Sequence, residues 1–82
     1  MVRNKPKRNS EDKKIKSIWS QLLRSPIDYE SDFFGLGGNS ILAVTLMNKI
    51  KLTLHHDFEL RLIYKHPVYG EFIHKIASQL GK

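Results

Sequence analysis

The chain has 82 residues, of which 40% are hydrophobic, enough for one small globular domain with a modest core and against wholesale disorder. It contains no cysteine, which excludes disulfides, zinc thiolates and a thiol nucleophile. The net charge is +6, no apolar run approaches the roughly 20 residues a membrane span requires, and the basic start lacks the apolar centre of a signal peptide, so the cytoplasm is the default location.

Residues 1–14 hold six basic side chains against two acidic ones, a surplus of four that leaves +2 for the rest. Residues 1–9 read as a flexible basic tail and residues 10–82 as the domain proper. The tail reads first as a solvated linker, and alternatively as an electrostatic handle for an acidic partner or nucleic acid. Ser10 is placed to cap a first helix, with Glu11 and Asp12 in its first turn where the helix dipole favours negative charge. Ile15, Ile18, Trp19, Leu22 and Leu23 follow at helical spacing and form one apolar stripe. Ser25-Pro26 ends the helix near Arg24, because the residue before proline is pushed out of helical geometry.

Residues 27–39 read as a long loop held down by Ile27, Phe33, Phe34 and Leu36; long ordered loops in small domains are usually functional. A second helix is predicted from Ser40 to about Thr53, with Leu42, Ala43, Leu46, Met47 and Ile50 facing the core. Residues 54–57 connect it to a short third segment from Phe58 to Lys65, with Leu60, Ile63 and Tyr64 as inward candidates. After His66-Pro67 a last helix spans about Val68 to Leu80, with Phe72, Ile73, Ile76, Ala77 and Leu80 as its stripe. No alternating strand pattern is present. The expected fold is all-α: a four-helix bundle with three main helices, one short third helix and a long loop between the first two.

Chemistry concentrates at Asp32-Phe33-Phe34-Gly35-Leu36-Gly37-Gly38-Asn39-Ser40. A serine in front of a helix is most often a cap. Here Gly37 and Gly38 give the backbone unusual freedom and leave no side chain to shield Ser40, and an anion attached to Ser40 would sit at a helix N-terminus. No catalytic residue is assigned. Residues 38–42 lack the second glycine of a nucleophile elbow, and no Gly-Lys-Ser/Thr follows Gly35-Leu36-Gly37-Gly38 to make a phosphate loop. His55, His56, His66 and His74 lack metal-ligand spacing, so no metal site is expected. A different class of reading is a small basic helical module that binds nucleic acid through the tail and Lys49, Lys51, Arg61 and Lys65. Against it, the charge lies mostly in the tail and the second helix opens on apolar residues.

Phe33-Phe34-Gly35-Leu36-Gly37-Gly38-Asn39-Ser40 resembles the Phe-Phe-x-Leu-Gly-Gly-x-Ser pattern of phosphopantetheine-dependent carrier domains, most closely the peptidyl carrier proteins of nonribosomal peptide synthesis. Residues 62–67 resemble the family's aromatic-x-x-Pro segment, with Tyr64 in the aromatic place. The resemblance covers about Ile15 to Leu80. It implies a non-catalytic carrier whose Ser40 receives 4′-phosphopantetheine from coenzyme A, with Gly37, Gly38 and Asn39 shaping the approach. The prosthetic thiol would hold an aminoacyl or peptidyl group as a thioester. The implied partners are a phosphopantetheinyl transferase and adenylation, condensation, thioesterase or tailoring enzymes, met by a monomer without membrane contact. Asn39-Ser40-Ile41 and the basic balance favour the peptidyl over the fatty-acyl class and leave polyketide carriers open. Val68 stands where the family commonly has a threonine cap. Ile41, Val44 and Asn48 share one face beside Ser40, with Lys51 at its rim; Ile41 and Val44 either greet partner enzymes or complete the core.

Overall fold

A computed structural model describes residues 7–81 of the chain. Among these residues there are four helices and no strand: α1 (Lys7–Leu23), α2 (Ser40–Leu54), α3 (Arg61–Lys65) and α4 (Tyr69–Gln79). The expected all-α bundle with one short third helix and a long loop between the first two is the observed one.

The start of α1 differs from expectation. The helix begins at Lys7, so Ser10 lies within it and does not cap it, and no acidic residue falls in its first turn. Residues 7–9 therefore join the helix, while the rest of the expected tail, residues 1–6, lies outside the described residues. Lys and Arg are good helix formers, and apolar periodicity is blind to a first turn, Lys7-Arg8-Asn9-Ser10, that contains no apolar residue. The other end follows a recognisable stop signal. Arg24 adopts a left-handed conformation with φ 54°, and the Ser25 N–H reaches back to the Ser20 carbonyl at 3.3 Å, the closing pattern of a Schellman motif.

The core gathers on one stripe from each long helix. Ile15, Trp19 and Leu23 of α1 meet Ala43, Leu46, Met47 and Ile50 of α2 and Tyr69, Phe72 and Ile76 of α4. Trp19 lies at its centre, edge-on to Phe33 with ring centroids 5.3 Å apart and to Tyr69 at 5.0 Å. Its indole N–H finds no hydrogen-bond partner among the described residues, a cost that the buried aromatic surface around it must outweigh.

The short third segment is out of phase with the sequence reading. Phe58, Leu62 and Ile63 are buried, whereas Leu60 and Tyr64 are exposed. Five helical residues cannot show a period, so an inward face read from them can slip by one position. Leu36, expected to tuck under the loop, is also exposed; Ile27 and Phe33 carry that anchoring into the core.

The loop and the start of α4 are laced together by backbone hydrogen bonds. The Tyr69 N–H donates to the Ser31 carbonyl at 2.8 Å, the Gly70 N–H to Tyr29 at 2.9 Å, and the Phe33 N–H to Pro67 at 2.8 Å. Val68 caps α4 without a side-chain hydrogen bond, yet two of the orphan N–H groups of that helix end are satisfied by loop carbonyls. This is why the absence of a threonine cap is tolerated. Gly70 makes the approach possible: a Cβ there would stand 3.0 Å from the Tyr29 carbonyl oxygen. A further tie comes from α1. The buried Tyr69 hydroxyl donates to the Asp12 carboxylate and to its backbone carbonyl, and the Tyr29 hydroxyl donates to the same carboxylate at 3.1 Å.

Candidate functional site

Ser40 opens α2, and the residue before it does the capping. Asn39 has extended backbone angles, and its side-chain oxygen accepts the Leu42 N–H at 2.9 Å while its carbonyl accepts the Ala43 N–H. The serine is therefore not the cap that its position first suggests. Its side chain is exposed, and the backbone N–H groups of Ser40 and Ile41 find no acceptor among the described residues.

The loop delivers Ser40 through close turns. The Asp32 carboxylate accepts the N–H groups of Phe34 and Gly35 at 3.1 and 3.2 Å, and the Gly38 N–H returns to the Phe33 carbonyl at 2.9 Å. The two glycines act for different reasons. Gly37 has φ +106° and open space where a side chain would be. Gly38 lies against Phe33, so an added Cβ would come within 2.4 Å of its ring. One keeps a left-handed turn and a clear approach; the other lets the loop pack down on the core. The sequence signal for this role of Asp32 is general: an Asp side chain commonly bonds the backbone two residues on in a turn.

A row of rings leads from the core to the serine. Phe33 is edge-on to Phe34, with centroids 5.2 Å apart, and Phe34 stacks on Tyr64 at 5.3 Å with planes 20° apart. The Tyr64 hydroxyl then donates to Ser40 Oγ at 3.3 Å. Thus α3, 24 residues further along, is brought to the start of α2.

Beyond Ser40, Ile41 is 77% exposed and Val44 45% exposed. Asn48 and Lys51 are exposed too. The two apolar residues do not complete the core, whose α2 share is Ala43, Leu46, Met47 and Ile50. The hollows lined by His66, Gly70, Glu71, His74 and Lys75 and by Lys51, Leu52, His55, His56 and Asp57 do not include Ser40. Nor does any cluster of three or more metal-ligating side chains occur among the described residues.

An exposed hydroxyl on a free helix N-terminus, reached over a glycine loop, suits covalent attachment of a phosphate-bearing group. The family model described as a phosphopantetheine attachment site matches residues 13–76. The chain belongs to this family. It is a carrier, and its prosthetic group is a covalently attached phosphopantetheine; carrier domains are generally non-catalytic. The residues present fit that group: Gly37 leaves the approach open and the first turn of α2 offers unpaired donors to a phosphate.

Curated relatives are large proteins. The chain is 39% identical over 61 residues to surfactin synthase subunit 3 of Bacillus subtilis (strain 168), which covers 73% of the chain and 5% of that protein. It is 30% identical over 76 residues to indigoidine synthase of Dickeya dadantii (strain 3937), covering 92% of the chain and 5% of the relative. Gramicidin S synthase 2 of Brevibacillus brevis shares 34% over 64 residues, 77% of the chain and 1% of the relative. The chain thus spans a twentieth or less of the length of these relatives. Among solved structures, BlmI, a type-II acyl-carrier-protein from Streptomyces verticillus involved in bleomycin biosynthesis, superposes with a TM-score of 0.82 at 23% identity, covering 90% of each chain. A structure described as a non-ribosomal PCP domain gives 0.67 at 22% identity, covering 88% of this chain and 91% of that one. The holo T3CT crystal structure gives 0.65 at 27%, covering 77% and 88%. These likenesses agree with the four-helix carrier fold, and the nucleic-acid-binding alternative finds no support among them.

No helix among the described residues is long and apolar enough to cross a membrane.

Proposed function

We propose that this carrier serves nonribosomal peptide synthesis or a related assembly line, and that Ser40 is its attachment residue. The observation that carries this reading is the division of labour at the start of α2. Asn39 holds the helix end, so the exposed hydroxyl of Ser40 is not needed as a cap and has only the long contact from Tyr64. Gly37 and Gly38 support the same reading by clearing and lowering the loop in front of it. In the loading step Ser40 Oγ bonds to phosphorus as the pyrophosphate link of coenzyme A breaks. Adenosine 3′,5′-bisphosphate leaves, and the serine proton passes to a base on the transferase. When bound, the group supplies a thiol that carries an aminoacyl or peptidyl chain as a thioester.

The chain itself catalyses nothing in this scheme. It presents Ser40 to a phosphopantetheinyl transferase and then to adenylation, condensation, thioesterase or tailoring enzymes. Ile41, Val44 and Asn48, with Lys51 at the rim, are the docking face; the exposure of two branched apolar side chains beside the attachment residue supports that role. The carrier unit takes in α1 together with the loop and the three later helices, acts as a monomer, and works in the cytoplasm where its coenzyme A donor is found.

The peptide assignment has its own test. The loaded carrier is offered a panel of amino acids, ATP and adenylation domains, and in parallel acyl-coenzyme A with polyketide acyltransferases. Hydroxylamine-labile aminoacyl label on the carrier is the expected result. Label only from the acyltransferases would move the chain to the polyketide class.

A further inference from the structure

We propose that the Tyr64 hydroxyl is a phosphate-holding donor: once Ser40 carries a phosphodiester, this O–H donates to a non-bridging phosphate oxygen and ties the root of the prosthetic arm to α3. The proposal rests on Ser40 as the attachment residue.

The ring of Tyr64 is held in place without its hydroxyl. It stacks on Phe34, which leans on Phe33, which is fully buried against Trp19. A phenylalanine would stack equally well, so packing does not account for the hydroxyl. That hydroxyl nevertheless lies 3.3 Å from Ser40 Oγ. The usual separation of a hydroxyl pair is about 2.7–2.8 Å, so the bond to the serine is weak and the donor keeps spare capacity. Both groups are exposed, and a weak exposed bond contributes little to folding.

Attachment changes what stands opposite the hydroxyl. Ser40 loses its proton, and Oγ becomes a bridging ester oxygen, a poor acceptor. Two non-bridging oxygens sharing a negative charge then lie two bonds further out, on the phosphorus. A hydrogen bond to an ionised acceptor is roughly twice as strong as a neutral one. The unpaired N–H groups of Ser40 and Ile41 favour an anion on the same turn. The phosphate is thereby bracketed by donors from α2 and by Tyr64 of α3, and the arm leaves Ser40 with a fixed first direction.

The test compares wild type with Tyr64→Phe, which keeps the ring stack and deletes only the donor. Both are loaded with phosphopantetheine, and attachment is verified by mass. Phosphorus NMR of the loaded proteins is then recorded, together with proton cross-peaks between the residue 64 ring and the arm methylene next to phosphate. The expected result is a phosphorus resonance in wild type displaced from that of the variant, and ring-to-methylene cross-peaks that are present in wild type and lost in Tyr64→Phe. The unloaded proteins should melt alike. Coincident phosphorus resonances with unchanged cross-peaks would overturn the proposal, as would a loaded wild type that shows no ring-to-arm cross-peak. A wild type that takes no adduct at Ser40 overturns the attachment reading as well, and that failure is read from the mass before any spectrum is taken.

Discussion

The side chain of Asn39 accepts the Leu42 N–H at 2.9 Å, and this one bond separates stability from function at the start of α2. Asn39→Ala removes the cap and should destabilise the domain by about 1 kcal/mol. Ser40→Ala removes an exposed hydroxyl with one weak partner and should stay within about 0.5 kcal/mol of wild type. Chemical denaturation of both variants checks the pair. Equal losses would show that Ser40 shares the capping duty.

The two glycines of the loop should respond differently to alanine. Gly38→Ala drives a Cβ into the Phe33 ring and carbonyl, atoms tied to the core, and overpacking of this kind costs about 1–3 kcal/mol. Gly37→Ala meets no neighbour and bears only the strain of a positive φ, about 1–2 kcal/mol. Both should be visible in thermal melts. Only Gly38→Ala should also shift the amide resonances of Phe33 and its ring neighbours. A Gly38→Ala variant with wild-type stability and spectrum would contradict the packing described for the loop.

The tie between α1, the loop and α4 carries a pH signature. Burial, then the hydrogen bond and negative charge of Asp12, push the Tyr69 phenol above its ordinary value. The hydrogen bond to Asp12 is the main cause of a rise at Tyr29. Both phenols hold their protons more tightly folded than unfolded. Their contribution to stability is therefore complete below pH ~10, the unfolded phenol value, and is lost as pH rises beyond it. Tyr69→Phe should lose about 1.5–3 kcal/mol at neutral pH, the usual worth of a hydrogen bond to a charged group. It should also show a shallower alkaline decline. Urea denaturation from pH 7 to 11 measures both. Parallel declines in wild type and Tyr69→Phe would remove Tyr69 from this role.

How much of this was legible in the sequence follows from what each residue depends on. The stripe Ile15, Trp19 and Leu23 and the α2 face Ala43, Leu46, Met47 and Ile50 repeat over several turns, so periodicity found them. Ser40 was marked as a helix start by the glycines before it and the apolar run after it. Asn39 does not announce itself as the cap, because two polar residues in a row at a helix entrance do not reveal which one caps. The burial of Tyr69 depends on Asp12, 57 residues earlier, and on a loop carbonyl that accepts its N–H. Local pattern carries no trace of such partners. The Phe58 and Leu62 face of the third segment was missed because five helical residues define no period.

The docking face gives a prediction about activity without loss of fold. Val44 is 45% exposed, so Val44→Asp should fold with stability within about 0.5 kcal/mol of wild type. Aminoacyl transfer from an adenylation domain should fall, with the loss in the apparent affinity for the carrier. A molten Val44→Asp would return Val44 to the core; a folded variant with unchanged transfer kinetics would move the docking face elsewhere.

Attachment at Ser40 is read straight from the intact mass of the loaded protein. Wild type and Ser40→Ala are incubated with coenzyme A and a broad-specificity phosphopantetheinyl transferase. The expected result is one phosphopantetheine adduct on wild type, mapped to Ser40 by peptide fragmentation, and none on Ser40→Ala, which folds normally by circular dichroism. An unmodified wild type, or an adduct that survives in Ser40→Ala, would contradict it.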